Sequence, residues 1–297
     1  MILEIKMILE DLNENFGKCI CNDIDYEDAE FARDLVKLVA DEKIVCIRNT
    51  NKVEPEKLVT LYKNMGRVAA QNEKVRGSGV GGFGELVQVK SDGLFQGAED
   101  GELIWHNAIL NKHSSESIVG MYMHHLAEEG GDTYFSDAQS AYDDLDDDLK
   151  EKLETLQSKT IYYPLKDEEN LTGIIKNTHI NQIFPDEDTF REWKDVDGNV
   201  VYKKQEKTKP VVTVHPTNRR KGLFFPFVML RGFVGMPKKE SDELFQFLTD
   251  HIMKEKYVYR HKWSKYDICL SDQIHSLHKR DAFTGYRELW RAAIWLD

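Results

Sequence analysis

Apolar and polar residues recur along this chain with two different periods. Over residues 26–41, Phe31, Leu35, Val36, Leu38 and Val39 return at helical spacing, while Asp28, Glu30 and Arg33 fall elsewhere, which predicts an amphipathic helix. Residues 43–48 (KIVCIR) form a short, nearly unbroken apolar run that reads as a buried strand. A second helix is expected over residues 55–65, where Leu58, Leu61, Tyr62 and Met65 share a face and Gly66 closes the run. Strand patterns follow at 86–89, 118–123, 211–215, 257–259, 268–270 and 291–295. Helical patterns cover 138–156 and 240–254, the latter carrying Leu244, Phe245, Phe247, Leu248 and Ile252. Helices lie early and between groups of short strands. That order predicts a fold that is mainly β with helices (α+β), a β-sandwich or jelly roll rather than a regular βαβ alternation.

Composition narrows the class. With 41% hydrophobic residues, 14 Phe, 12 Tyr and 5 Trp, the 297 residues can bury a sizeable core. No repeat or Pro-rich linker breaks the chain and its 7 prolines are scattered, so a single domain over 1–297 is expected. A net charge of −12 repels phosphate backbones and anionic membranes, which argues against nucleic-acid and membrane partners. No apolar run nears the roughly 18 residues of a membrane span. Residues 1–13 mix apolar with charged positions and lack the basic and apolar regions of a signal peptide. The 4 cysteines make no disulfide framework, which fits a reduced, cytoplasmic setting. The acidic cluster at 143–148 reads as a solvated helix face.

Gly77, Gly79 and Gly82 formally satisfy GxGxxG, but polar residues precede them and a strand pattern follows, the reverse of the strand–turn–helix context a dinucleotide loop needs. A loop is the better reading. Three other segments carry more. The first is Gly101 to Ala108, with Trp105, His106 and Asn107; the second is Glu129-Gly130-Gly131-Asp132-Thr133. In the third, Ser271-Asp272-Gln273 leads to His275 and His278, and Tyr286-Arg287 leads to Arg291. Taken singly, each histidine is most simply a hydrogen-bonded structural residue.

Together the segments resemble the Fe(II)/2-oxoglutarate dioxygenases of the taurine dioxygenase and 2,4-dichlorophenoxyacetate dioxygenase group. The likeness extends over nearly the whole chain, including Val45 to Arg48, the segment from His215 to Leu223, and Arg260, His261 and Trp263 ahead of Asp267. It implies a double-stranded β-helix (jelly-roll) core flanked by helices. It further implies Fe(II) as metal, 2-oxoglutarate as cosubstrate and O2 as oxidant. Carried over by position, His106 and His278 are the metal ligands, and Thr133 and Arg287 hold the far carboxylate of 2-oxoglutarate. Arg291, four residues on and on the same strand face, meets cosubstrate or an anionic substrate group. His275 matches the family spacing less well and stays outside the ligand set. The chemistry is coherent: imidazole suits Fe(II), open positions admit a bidentate 2-oxo acid and oxygen, and arginine pairs with carboxylate in two-pronged fashion.

One departure bears on the reaction. Where the family has His-x-Asp, this chain has His106-Asn107-Ala108, so the carboxylate ligand is missing. Smaller departures are Tyr266 for a glycine, Ser271 for a tryptophan and Gln273 for an asparagine. Three readings follow. Ala108 opens a halide pocket, as in the iron/2-oxoglutarate halogenases, and the reaction is chlorination of a small polar or amino-acid-like substrate. Alternatively, the protein is a hydroxylase in which Ala108 was engineered in place of aspartate. Third, it binds a small anion without turnover. Lid segments are expected near 71–101 and 170–209, the latter with a hairpin turn at Asp197-Gly198-Asn199. The first holds Asn72, Glu73, Lys74, Arg76, Lys90 and Gln96; Lys74 and Arg76, with Asn107, are the candidate substrate contacts. A carrier-tethered substrate suits an acidic surface poorly.

Overall fold

The computed structural model describes residues 7–48, 51–68, 79–91, 102–107, 117–162, 193–194, 200–202, 205–224 and 230–296. The chain enters through β1 (Leu9–Asp11) and β2 (Lys18–Ile20), helix α1 (Ala29–Glu42), β3 (Ile44–Ile47), helix α2 (Pro55–Met65), β4 (Arg67–Val68) and β5 (Val87–Lys90). Strands β6 (Leu103–His106), β7 (Ile118–His125), β8 (Glu129–Gly130) and β9 (Thr133–Asp137) come next. Helices α3 (Ala138–Asp143) and α4 (Asp147–Thr155) lead to β10 (Gln157–Tyr162), β11 (Trp193–Lys194), β12 (Val200–Tyr202) and β13 (Gln205–Pro210). Then come β14 (Val212–Val214), β15 (Lys221–Leu223), β16 (Leu230–Phe233) and helix α5 (Lys238–Ile252). The chain closes through β17 (Val258–His261), β18 (Ile268–Asp272), β19 (Ser276–Arg280), β20 (Phe283–Thr284) and β21 (Glu288–Trp295).

Two sheets form the sandwich. The larger has 8 strands in the order β1-β2-β3-β18-β7-β21-β4, with β5 also on β21; the smaller has 4, in the order β17-β9-β19-β6. Most neighbours run antiparallel, and sequence-distant strands lie side by side, as a jelly roll requires. Both faces of the larger sheet are covered. Val45, Ile47, Ile268, Leu270, Trp290 and Ala292 face helices α1 and α2, whereas Ile44, Cys46, Cys269, Met121 and Leu289 face the interior with Phe135 of the smaller sheet. Burial on both sides explains why 43–48 shows no alternation. Helices α3, α4 and α5 pack over the outer face of the smaller sheet, around Leu277, Phe245 and Leu248.

Asp28 caps α1 by accepting from the Glu30 and Phe31 amides, and α2 spans the interval its periodicity predicts. The helix expected over 138–156 is instead two. Asp144 closes α3 and accepts from Lys256 Nζ at 2.6 Å and Tyr257 Oη at 2.7 Å, while Asp147 and Asp148 fill the first turn of α4, where negative charge is favoured. Repelling carboxylates spread better over one helix end and the next helix start than along one continuous face.

Within the expected lid at 71–101, the described residues 79–91 include β5, which pairs with β21 and so belongs to the larger sheet. Gly79, Gly81 and Gly82 have φ of 79°, 59° and 86°, and strand β5 is the next element after them, in keeping with the rejected dinucleotide loop. In the expected insertion at 170–209, β11 and β12 pair antiparallel around the foreseen hairpin turn, whose residues lie outside the described ones. No helix among the described residues is long and apolar enough to cross a membrane.

Candidate active site

Strands β6 and β19 of the smaller sheet run antiparallel with His106 directly opposite His278. Their rings stand 4.2 Å apart at 51°, and Phe135 from β9 packs 6.3 Å from the His278 ring. His278 Nδ1 is buried with no hydrogen-bond partner. Burial, helped by neighbouring His106 and Arg291, pushes this imidazole well below the ordinary histidine range, so it is neutral and ready to donate a lone pair.

His275, three residues earlier, is saturated. Gln139 Nε2 lies 3.2 Å from its Nδ1, and Thr213 Oγ1 lies 2.9 Å from its Nε2. Its backbone N–H donates to Asp272 Oδ2 at 2.8 Å, and the same carboxylate accepts from His215 Nε2 at 3.2 Å. Burial raises the Asp272 carboxyl, but the His215 bond and the nearby Lys43 ammonium outweigh it and hold the carboxyl below its usual value. Gly222 gives the His275 ring its room, since a Cβ there would stand 2.6 Å from the imidazole. A histidine with both nitrogens engaged has no lone pair for a metal, so this one fixes the β18–β19 corner.

Thr133 opens β9 on the face that carries Phe135, and its Oγ1 accepts from Trp263 Nε1 at 2.9 Å. That leaves the hydroxyl hydrogen free to donate. Arg287 precedes β21 and is 4% exposed, with Nη2 donating to Gly131 O at 3.4 Å; among the described residues no carboxylate pairs with it. Burial, with repulsion from Arg280, pushes its guanidinium down to about 9, the mark of a cation awaiting an anion. Gly131 makes this approach possible: its φ is 76°, and a Cβ would meet Arg287 Nε at 3.1 Å. A cavity of about 140 Å³ opens beside Arg287, between Met123, Leu126, Asp132 and Trp263. Arg291 follows on β21, and strand period brings both arginines to the interior face.

Asn107 is not brought to this site, which corrects its expected place among substrate contacts. It lines a gap with Ala138, Leu223, Ile252 and Leu277, on the opposite face of the smaller sheet from His106, because successive residues of an extended chain project to opposite sides. Ala108, Lys74 and Arg76 lie outside the described residues. The structure adds Arg280, two residues after His278 and therefore on the same strand face. It is 7% exposed, stacks 4.6 Å from Phe283 and neighbours Arg287. The period-2 pattern from His278 was the one sequence signal that could have found it.

A β-sandwich with two facing imidazoles and a buried arginine across its interior is a setting suited to a metal ion and an anionic cosubstrate. The model of the taurine catabolism dioxygenase TauD, TfdA family matches residues 9–293, and the chain belongs to this family of Fe(II)/2-oxoglutarate-dependent dioxygenases. It is 25% identical over 265 residues to the alpha-ketoglutarate-dependent 2,4-dichlorophenoxyacetate dioxygenase of Burkholderia sp. (strain RASC), covering 85% of this chain and 82% of that one. With the (S)-phenoxypropionate/alpha-ketoglutarate-dioxygenase of Sphingobium herbicidovorans it shares 28% over 167 residues, covering 56% and 52%. Among solved structures, AAD-2 in complex with Mn(II) and N-oxalylglycine superposes with a TM-score of 0.71 at 19% identity, over 98% of this chain and 97% of that one. A taurine dioxygenase from Burkholderia xenovorans gives 0.74 at 16%, over 98% and 90%. Iron(II), 2-oxoglutarate and O2 are the metal and cosubstrates expected of the family.

The residues present fit that iron. A buried, neutral imidazole with a partnerless nitrogen faces a second imidazole, and a buried guanidinium stands ready for a dicarboxylate.

Proposed function

We propose that His106 and His278 hold Fe(II), that Arg287 and Thr133 clamp 2-oxoglutarate, and that the protein oxidises an aliphatic C–H bond of a small anionic molecule. The observation that carries this reading is the in-register His106–His278 pair with its partnerless nitrogen. The chemistry such an iron supplies when bound is oxidative decarboxylation of 2-oxoglutarate to succinate and CO2, coupled to hydrogen abstraction from a carbon. The chain's own work is positioning. Arg287 takes one carboxylate in charge-assisted hydrogen bonds, worth about 1.5–3 kcal/mol each for charged groups. Thr133, oriented by the Trp263 N–H, donates its hydroxyl to the same group. The buried aromatic and aliphatic walls, Phe135, Met123 and Leu289, keep water from the reacting carbon. Relatives named for 2,4-dichlorophenoxyacetate and phenoxypropionate support a carboxylate-bearing substrate, for which Arg291 is the suited counter-charge.

The fate of the substrate carbon turns on position 108. Named relatives are dioxygenases, which supports oxygen transfer as the outcome this scaffold serves; on that reading Ala108 stands where the hydroxylase needs an aspartate. Ala108 itself favours the second reading, chlorination. A methyl side chain offers no ligand, and chloride would restore the lost negative charge beside the metal.

One pair of proteins separates them. The chain and Ala108→Asp are each supplied with Fe(II), 2-oxoglutarate, chloride, isotopically labelled O2 and a panel of amino acids and aryloxy acids, with products read by mass spectrometry. Labelled hydroxylated product from Ala108→Asp alone establishes the hydroxylase. Chlorinated product from the unaltered chain, replaced by hydroxylated product in Ala108→Asp, establishes the halogenase. Succinate from neither protein with any substrate overturns both, leaving a small-anion-binding protein of the same fold.

A further inference from the structure

A second set of ligating side chains, distinct from the facing histidines, meets inside the sandwich. Cys46 on β3 and Cys269 on β18 sit opposite each other in register, both turned to the interior. His261 on β17 reaches them from the smaller sheet. One donor atom from each lies within 4.8 Å of the others, and all three residues are fully buried. Cys269 Sγ lies 3.2 Å from His261 Nε2. Tyr259 Oη lies 3.2 Å from His261 Nδ1, which fixes the ring with Nε2 toward the thiols. Asp267, two residues before Cys269 and fully buried, brings Oδ2 to 3.7 Å from His261 Nε2 and 3.2 Å from Arg48 Nη1. Its Oδ1 is buried and has no hydrogen-bond partner.

We propose that Cys46, Cys269 and His261, with the Asp267 carboxylate beside them, form a structural site for a thiophilic divalent cation, zinc(II) being the ion that fits. Tetrahedral zinc with sulfur at about 2.3 Å and nitrogen at about 2.0 Å sets neighbouring donor atoms roughly 3.5 Å apart, close to the 3.2 Å between Cys269 Sγ and His261 Nε2. Charge balances as well. Two thiolates and one carboxylate are offset by the divalent ion and Arg48, so the buried cluster is neutral when loaded. It is also neutral when empty. The Cys19 thiol draws Cys46 down, but Cys269 and burial hold it well above the ordinary thiol range, and burial raises Cys269. Burial pushes His261 down to about 4, so its lone pair is available at neutral pH. Loading therefore expels two thiol protons to solvent, forms two metal–sulfur bonds and takes no proton from His261. The Tyr259 contact is the outer support that orients a ligating imidazole. Bound there, the cation ties β3 and β18 of one sheet to β17 of the other. On β9, Thr133 lies opposite His261, so the tie also braces that threonine. The site does not depend on the iron reading.

The test removes the other histidine pair first. The full-length His106→Ala/His278→Ala double variant is purified, dialysed, assayed for zinc, and loaded with cobalt(II) as a spectroscopic probe. We expect retained zinc near one equivalent, a thiolate-to-cobalt charge-transfer band in the near ultraviolet, and two protons released per cobalt bound. Cys269→Ser in that background should abolish the band, whereas Cys21→Ser, at the surface, should leave it. Tyr259→Phe keeps every ligand and should weaken cobalt binding by about 10- to 100-fold, which holds the proposal to account even where Cys269→Ser folds poorly. A double variant without zinc and without the thiolate band overturns the proposal. So does a band that survives Cys269→Ser.

Discussion

His275, in the β18–β19 corner, and His278, on β19, lie three residues apart, yet their surroundings are opposite. Around His275 every polar atom is answered: Gln139 and Thr213 take its nitrogens, and Asp272 binds His215 and two backbone amides. Around His278 there is a second imidazole at 4.2 Å and a nitrogen with no partner. A folded chain rarely tolerates the second arrangement without a reason, because an unsatisfied buried polar group costs about 1–3 kcal/mol. The saturated region supports the fold, and the unsaturated one is the place proposed for the iron.

Removing each histidine should break the molecule in a different way. The largest effect is expected for His278→Ala. Iron affinity should drop by more than about 100-fold, since even an outer partner of a metal ligand is worth 10- to 100-fold, while the thermal midpoint stays level; metal analysis and calorimetry read the two quantities. His275→Ala should do the reverse. Stranding Gln139, Thr213 and part of Asp272 should cost about 3 kcal/mol and lower the midpoint by roughly 6 °C, with iron binding intact in the protein that remains folded. Gly222→Ala, which drives a Cβ to 2.6 Å from the His275 ring, should destabilise in the same direction.

Arg287→Ala should raise the dissociation constant of 2-oxoglutarate by about 100-fold, with Arg287→Lys in between, because a lysine keeps the charge and loses the fork. Isothermal titration of the iron-loaded protein measures this. The smallest effect concerns pH. His261 and His275 are both pushed down to about 4 by burial, against an ordinary value near 6.5, so the unfolded chain binds protons the native one excludes. Stability of the metal-free protein should be fully present above about pH 6.5 and decline as pH falls toward 4. Urea titrations at stepped pH should show His275→Gln flattening part of that decline.

Much of this was legible in the sequence where local rules and tertiary packing agree. Pro55–Met65 forms the helix its periodicity calls for, and the apolar runs of β3 and β18 are strands because both their faces are buried. Local rules fell short where distant residues decide. The break between α3 and α4 depends on Lys256 and Tyr257, more than a hundred positions away. Arg280 escaped notice because a charged residue after a strand histidine reads as solvent-facing until the second sheet covers it. The choice between His275 and His278 rested on family spacing; the geometry adds a physical reason, the state of their nitrogens. The thiol–imidazole cluster has no local signature, since Cys46, His261 and Cys269 meet only through strand order.

The central claim is that His106 and His278, with Arg287 behind them, hold iron and 2-oxoglutarate together. Its most direct test is an anaerobic visible-absorbance titration with Fe(II) and 2-oxoglutarate, run on the unaltered chain, His275→Gln and His278→Ala, with and without chloride. The account predicts a metal-to-cosubstrate charge-transfer band in the first two proteins and none in the third. A band that persists in His278→Ala, or that never forms in the unaltered chain, would contradict it.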